Sequence, residues 1–152
     1  MRVRERGFTL VELVVVIGLT ALAMMFVFSF SVGQLQSGRA QGTADDIASL
    51  LSVCQQDAFS GKDGSSYGIR FESQRYHVFV GESFATAESS DTVNLQPGTS
   101  VSAISLSSGS SEIVFFSGNL VPQAYGSVTL KSGTEESRIE INREGMIEVH
   151  TL

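Results

Sequence analysis

The chain has 152 residues, 42% of them hydrophobic, and a formal net charge of −6. That length allows one small folded domain once an export segment is set aside. The acidic balance weighs against nucleic acid and anionic headgroups as long-range partners. A single cysteine, Cys54, excludes an intramolecular disulfide, and its expected place is a buried apolar helix face.

The chain opens on MRVRERG, three arginines against one glutamate. The positive-inside rule keeps residues 1–7 cytoplasmic and exports whatever follows the next apolar run. From Phe8 to Val32 that run is 25 residues long, and Glu12 is its only ionisable side chain. A helix of that length reaches roughly 37 Å against a hydrocarbon core of about 30 Å, so 8–32 is predicted to span a membrane. A carboxylate inside a span is costly unless it is paired, protonated or near the interface, which marks Glu12 as functional. No small-residue cleavage site follows the run, since Ser29, Phe30, Ser31 and Val32 match one poorly. The natural cut falls before it, after Gly7.

The stretch GFTLVELVVVIGL, Gly7 to Leu19, resembles the prepilin-type signal of type IV pilins and of type II secretion pseudopilins. The resemblance implies that an inner-membrane prepilin peptidase cuts between Gly7 and Phe8 and methylates the new amine of Phe8. It also implies that Glu12 neutralises the terminal amine of a neighbouring pilin or pseudopilin subunit during assembly on an inner-membrane platform. Two opposite charges that are expensive apart in lipid attract strongly once joined in a low-dielectric bundle. The chain departs from many members of the family in having no proline between Phe8 and Gly33, and Gly33, Gly38 and Gly42 offer flexibility just beyond the run. Without the leader's three arginines and one glutamate, the net charge falls from −6 to −8.

Residues 33–60 read as an amphipathic helix. Ile47, Leu50, Leu51, Cys54 and Ala58 form one apolar stripe, with Asp45, Asp46, Ser49, Gln56 and Asp57 opposite. Thr43 and Asp46 are spaced as a weak N-cap and its acid, but the helix can equally run on from the membrane, and the reading is one long helix from roughly 8 to 60, half in the membrane and half packed on the domain. Ser60-Gly61 ends it.

From residue 61 to 152 the period turns alternating. Tyr67–Phe71 and Arg75–Val80 read as a hairpin across Glu72-Ser-Gln74, with Ile69 and Phe71 on one face and Tyr76, Val78 and Val80 on the matching one. Further strands are expected at Val93–Leu95, Val101–Leu106, Glu112–Phe116, Ser127–Leu130, Arg138–Ile141 and Met146–Val149, the last two around an Asn142–Gly145 turn. The segments Glu88–Asp91, Ser107–Ser111 and Lys131–Glu136 read as loops. The fold class is α+β: a long N-terminal α-helix, transmembrane and then amphipathic, packed on a C-terminal antiparallel β domain. YGIRF, RYHVFV, IVFFSGNL and RIEINREGMIEV also resemble the minor pseudopilin H subgroup, the GspH and FimT-like proteins.

Catalytic patterns are missing. His77 and His150 belong to no zinc-ligand spacing, the serines lie in no nucleophile elbow, and no phosphate loop occurs. Some pseudopilins bind calcium near the C-terminus, but Glu135-Glu136 and Glu88–Asp91 lack the Asp/Asn-rich pattern of a calcium loop, so no metal or cofactor is expected. The basic residues Arg70, Arg75, Lys131, Arg138 and Arg143 are interleaved with acids. The resemblance implies a non-enzymatic filament subunit of a secretion pseudopilus or pilus-like fibre, with its C-terminal domain extracytoplasmic. The alternatives are a filament-borne DNA-binding or adhesion subunit and a membrane-anchored domain of other function.

Overall fold

The computed structural model describes residues 9–152, and for 26–37 the backbone alone. The chain divides into two compact units, Met1–Leu35 and Gln36–Leu152. Helix α1 (Leu10–Phe59) contributes to both. It continues through Gly33, Gly38 and Gly42, so Thr43 and Asp46 do not begin a second helix, and Thr43 is buried. Termination follows the glycine rule: Gly61 takes a left-handed φ of 66°, and its N–H donates to the Ala58 carbonyl at 3.0 Å.

Eight strands follow: β1 (Tyr67–Phe71), β2 (Arg75–Val80), β3 (Ser89–Asn94), β4 (Thr99–Leu106), β5 (Glu112–Phe115), β6 (Gly126–Ser132), β7 (Glu135–Ile141) and β8 (Ile147–Thr151). They form two four-stranded sheets, ordered β3-β2-β1-β5 and β4-β6-β7-β8, with every neighbouring pair antiparallel. This is the expected α+β fold, a helix packed on antiparallel sheets.

The core lies between the second half of α1 and one face of each sheet. Ile47, Leu51 and Ala58 are fully buried and Cys54 nearly so, against Ile69, Phe71 and Phe115 of one sheet and Val128, Leu130, Ile139 and Ile141 of the other. Ile69 stands opposite Val78 and Phe71 opposite Tyr76, so the face read from the alternation is the face that enters the core. Burial pushes the Cys54 thiol up to about 11, with Asp57 adding to the shift. An un-ionised thiol in that setting is a packing group.

Two segments read as loops are strands. Glu88–Asp91 enters β3, whose six residues are all exposed, so no buried face imprinted an apolar alternation on it. Within Lys131–Glu136 only Gly133 and Thr134 leave the ladder, and Ser132 pairs with Glu135. Gly133 alone supplies the positive φ of that tight turn, at 61°.

Candidate functional site

Glu12 lies in the first turn of α1. Its backbone N–H donates to Thr9 Oγ1 at 3.3 Å, so Thr9 serves as N-cap and Glu12 occupies the third helical position, where a carboxylate complements the helix dipole. The T-x-x-E spacing that signals this cap was legible at Thr9 and was missed by the reading from charge alone. Leu10, Val11, Leu13, Val14, Val15, Val16 and Ile17 are each more than half exposed. Seven apolar positions within eight residues leave no polar face on this part of the helix. Thr20 keeps its hydroxyl inside by donating to the Val16 and Ile17 carbonyls, both at 2.9 Å. Among the described residues, Glu12 has no cationic partner.

The leader and the expected cleavage and methylation positions, Gly7 and Phe8, lie outside the described residues, as do the side chains of 26–32 in the expected span. Among the described residues, no helix is long and apolar enough to cross a membrane, and the part of the apolar run with described side chains stops at Met25.

The folded unit holds a second cluster that the sequence did not reveal. The register aligns Thr92, His77, Arg70 and Glu112 as one row across β3, β2, β1 and β5, on the sheet face away from the core. His77 is buried, with Nδ1 2.9 Å from Thr92 Oγ1 and Nε2 3.3 Å from Glu72 Oε1. Phe84 covers the row. Its ring centroid lies 4.8 Å from that of His77 and 4.9 Å from the Arg70 guanidinium, and its N–H donates to Glu112 Oε2 at 3.2 Å. Gly68 makes room for Phe79 in the adjoining row, since a Cβ there would sit 2.7 Å from the Phe79 ring. Cross-strand pairing assembles the cluster, and the hairpin register by itself gives only the Arg70–His77 pair. His77 is thus a packed strand residue, and His150 an exposed one beside Glu148.

The acidic pairs considered for calcium have other surroundings. Glu136 pairs with Lys131 at 3.1 Å, and Glu88 and Asp91 are exposed. No group of three or more potential metal ligands occurs among the described residues. Gln55 clips the domain together instead, its Nε2 donating to the Leu120 carbonyl at 2.7 Å and the Gly145 carbonyl at 3.0 Å.

Known proteins can be set beside this geometry. Residues 2–28 match the prokaryotic N-terminal methylation motif. The fold is similar to that of the minor pseudopilin EpsH from the type 2 secretion system of Vibrio cholerae, with a TM-score of 0.53 at 13% identity, over 74% of this chain and 97% of that one. No curated protein matches the chain. The chain thus joins a prokaryotic N-terminal methylation motif to an α+β fold similar to that of a minor pseudopilin.

Proposed function

We propose that the chain is a minor structural subunit of a type II secretion pseudopilus or of a type IV pilus-like filament. In this reading prepilin peptidase removes residues 1–7 and methylates Phe8, and residues 8–32 anchor the subunit in the inner membrane with its folded unit outside the cytoplasm. The assembly platform then moves it into a bundle of apolar helices. Glu12 pairs with the terminal amine of a neighbour and sets the axial step between helices.

The observation that carries the reading is the all-round apolar surface of α1 around one carboxylate without a partner among the described residues. A solitary soluble domain would gain nothing from such a surface, whereas a helical bundle in or from a membrane covers it. An ionised carboxylate in that bundle requires a cation, and a neighbour's N-terminus supplies one without adding a basic residue to the run. The work of such a subunit is assembly, and its functional residues are docking residues.

Replacing Glu12 tests the mechanism in the native host. Glu12→Ala is expected to leave the membrane level of the protein unchanged and to remove it from sheared filaments. Incorporation of that variant at the wild-type level would overturn the role given to Glu12.

A further inference from the structure

The β1–β2 turn and the β3–β4 connection enclose a cleft of about 330 Å³. Three backbone bonds brace it: Leu95 N–H to the Gln74 carbonyl at 3.0 Å, Thr99 N–H to Gln96 at 2.9 Å and Val101 N–H to Ser73 at 2.9 Å. The carboxamides of Gln74, Asn94 and Gln96 line it, and none has a hydrogen-bond partner among the described residues. Arg75 lines it too, directly opposite Asn94 in the ladder, with Nε 3.1 Å from Glu72 Oε2. Thr99 is 5% exposed, and its buried Oγ1 lacks a partner among the described residues. A buried hydroxyl left unbonded is costly, which calls for a polar guest.

The chemistry of the lining narrows that guest. A carboxamide presents a donor and an acceptor side by side, the complement of neighbouring hydroxyls. A guanidinium offers a planar set of donors suited to a carboxylate. Among the described residues no carboxylate lines the cleft itself, and Glu72 stands beside it on Arg75. Pro97 adds an apolar surface for the C–H face of a ring. A larger cleft of about 480 Å³ at Arg70 differs in having Glu112 in its lining and no carboxamide.

We infer that the cleft at Gln74, Arg75 and Asn94 binds an acidic saccharide. Sugar hydroxyls meet the carboxamides and Thr99, and the carboxylate of a uronic acid meets Arg75. This site does not depend on how α1 assembles.

The test is a nitrogen-15 NMR titration of the full chain in dodecylphosphocholine micelles, a detergent without a sugar headgroup, using trigalacturonate and neutral maltotriose as probes. Trigalacturonate is expected to give saturable shifts at the side-chain amides of Gln74, Asn94 and Gln96, with maltotriose weaker by about tenfold. Arg75→Ala should weaken trigalacturonate by about tenfold, and Asn94→Ala should weaken both probes, with core amide signals unmoved in each variant. Absence of saturable shifts with either probe would overturn the site. So would trigalacturonate binding that both variants leave intact. Equal affinity for the two probes would overturn the uronic-acid assignment.

Discussion

The two ends of α1 obey opposite rules. From Leu10 to Met25 its large apolar side chains are more than half exposed all round the helix, whereas further along Ala40, Ala44, Ile47, Leu51, Cys54 and Ala58 form one buried stripe, and Val53 alone of the large apolar residues between Ala40 and Ala58 stays exposed. One helix can therefore carry two solvents in its sequence. The second half is a globular-protein helix, held by packing against two sheets. The first half exposes its apolar side chains on every side, a surface that the filament reading proposed above would cover with lipid or with the helices of other subunits. The difference teaches that burial in the folded unit and apolarity of sequence are separate facts.

Core substitutions should separate the halves most sharply. Leu51→Ala opens a cavity against both sheets and is expected to cost about 2–5 kcal/mol in chemical denaturation of the folded unit, whereas Leu13→Ala should change that stability by less than about 0.5 kcal/mol. An equal effect at both positions would collapse the contrast. A charge should reverse the ranking: Ile17→Arg is expected to raise the cost of membrane insertion by about 2.5–3.5 kcal/mol, read as a lost membrane fraction, with the folded unit's unfolding curve unchanged. Gly145→Ala tests the clip between the helix and the β7–β8 turn. Gly145 has a φ of 89°, and a Cβ there would lie 2.5 Å from both Gln55 Nε2 and the Leu120 carbonyl. A loss of about 1–3 kcal/mol is expected, through strain and the Gln55 bonds together.

A pH dependence is also expected. Cys54 is raised from 9.0 to about 11, so the unfolded thiol ionises first as pH rises. The stability associated with the neutral buried thiol is fully present below pH 9 and is lost as pH climbs towards 11. Cys54→Ala should flatten that decline between pH 9 and 11, and alkylation of native Cys54 at neutral pH should be slow until the domain unfolds.

Most of the fold was legible because buried faces leave periodic marks. The Ile47–Ala58 stripe named the helix face, and β1 and β2 begin and end where the alternation does. β3 was legible only at its end, Val93 and Asn94, since a strand exposed at all six positions has no face to conceal from water. The Lys131–Glu136 segment was misread for another reason: its serine, glycine and charges resemble a loop, yet a two-residue turn needs only Gly133 to be special. Of the candidate assembly site, the solitary Glu12 was visible in sequence and its Thr9 cap was there to be read. The row joining Thr92, His77, Arg70 and Glu112 depends on the register of four strands, which no local pattern specifies.

The central claim is that this apolar helix belongs to a processed filament subunit, and the mass of the N-terminal peptide from protein recovered from its native membrane tests it most directly. The account predicts a chain that begins at N-methylated Phe8. A chain still beginning at Met1 would contradict prepilin processing and leave α1 an ordinary anchor.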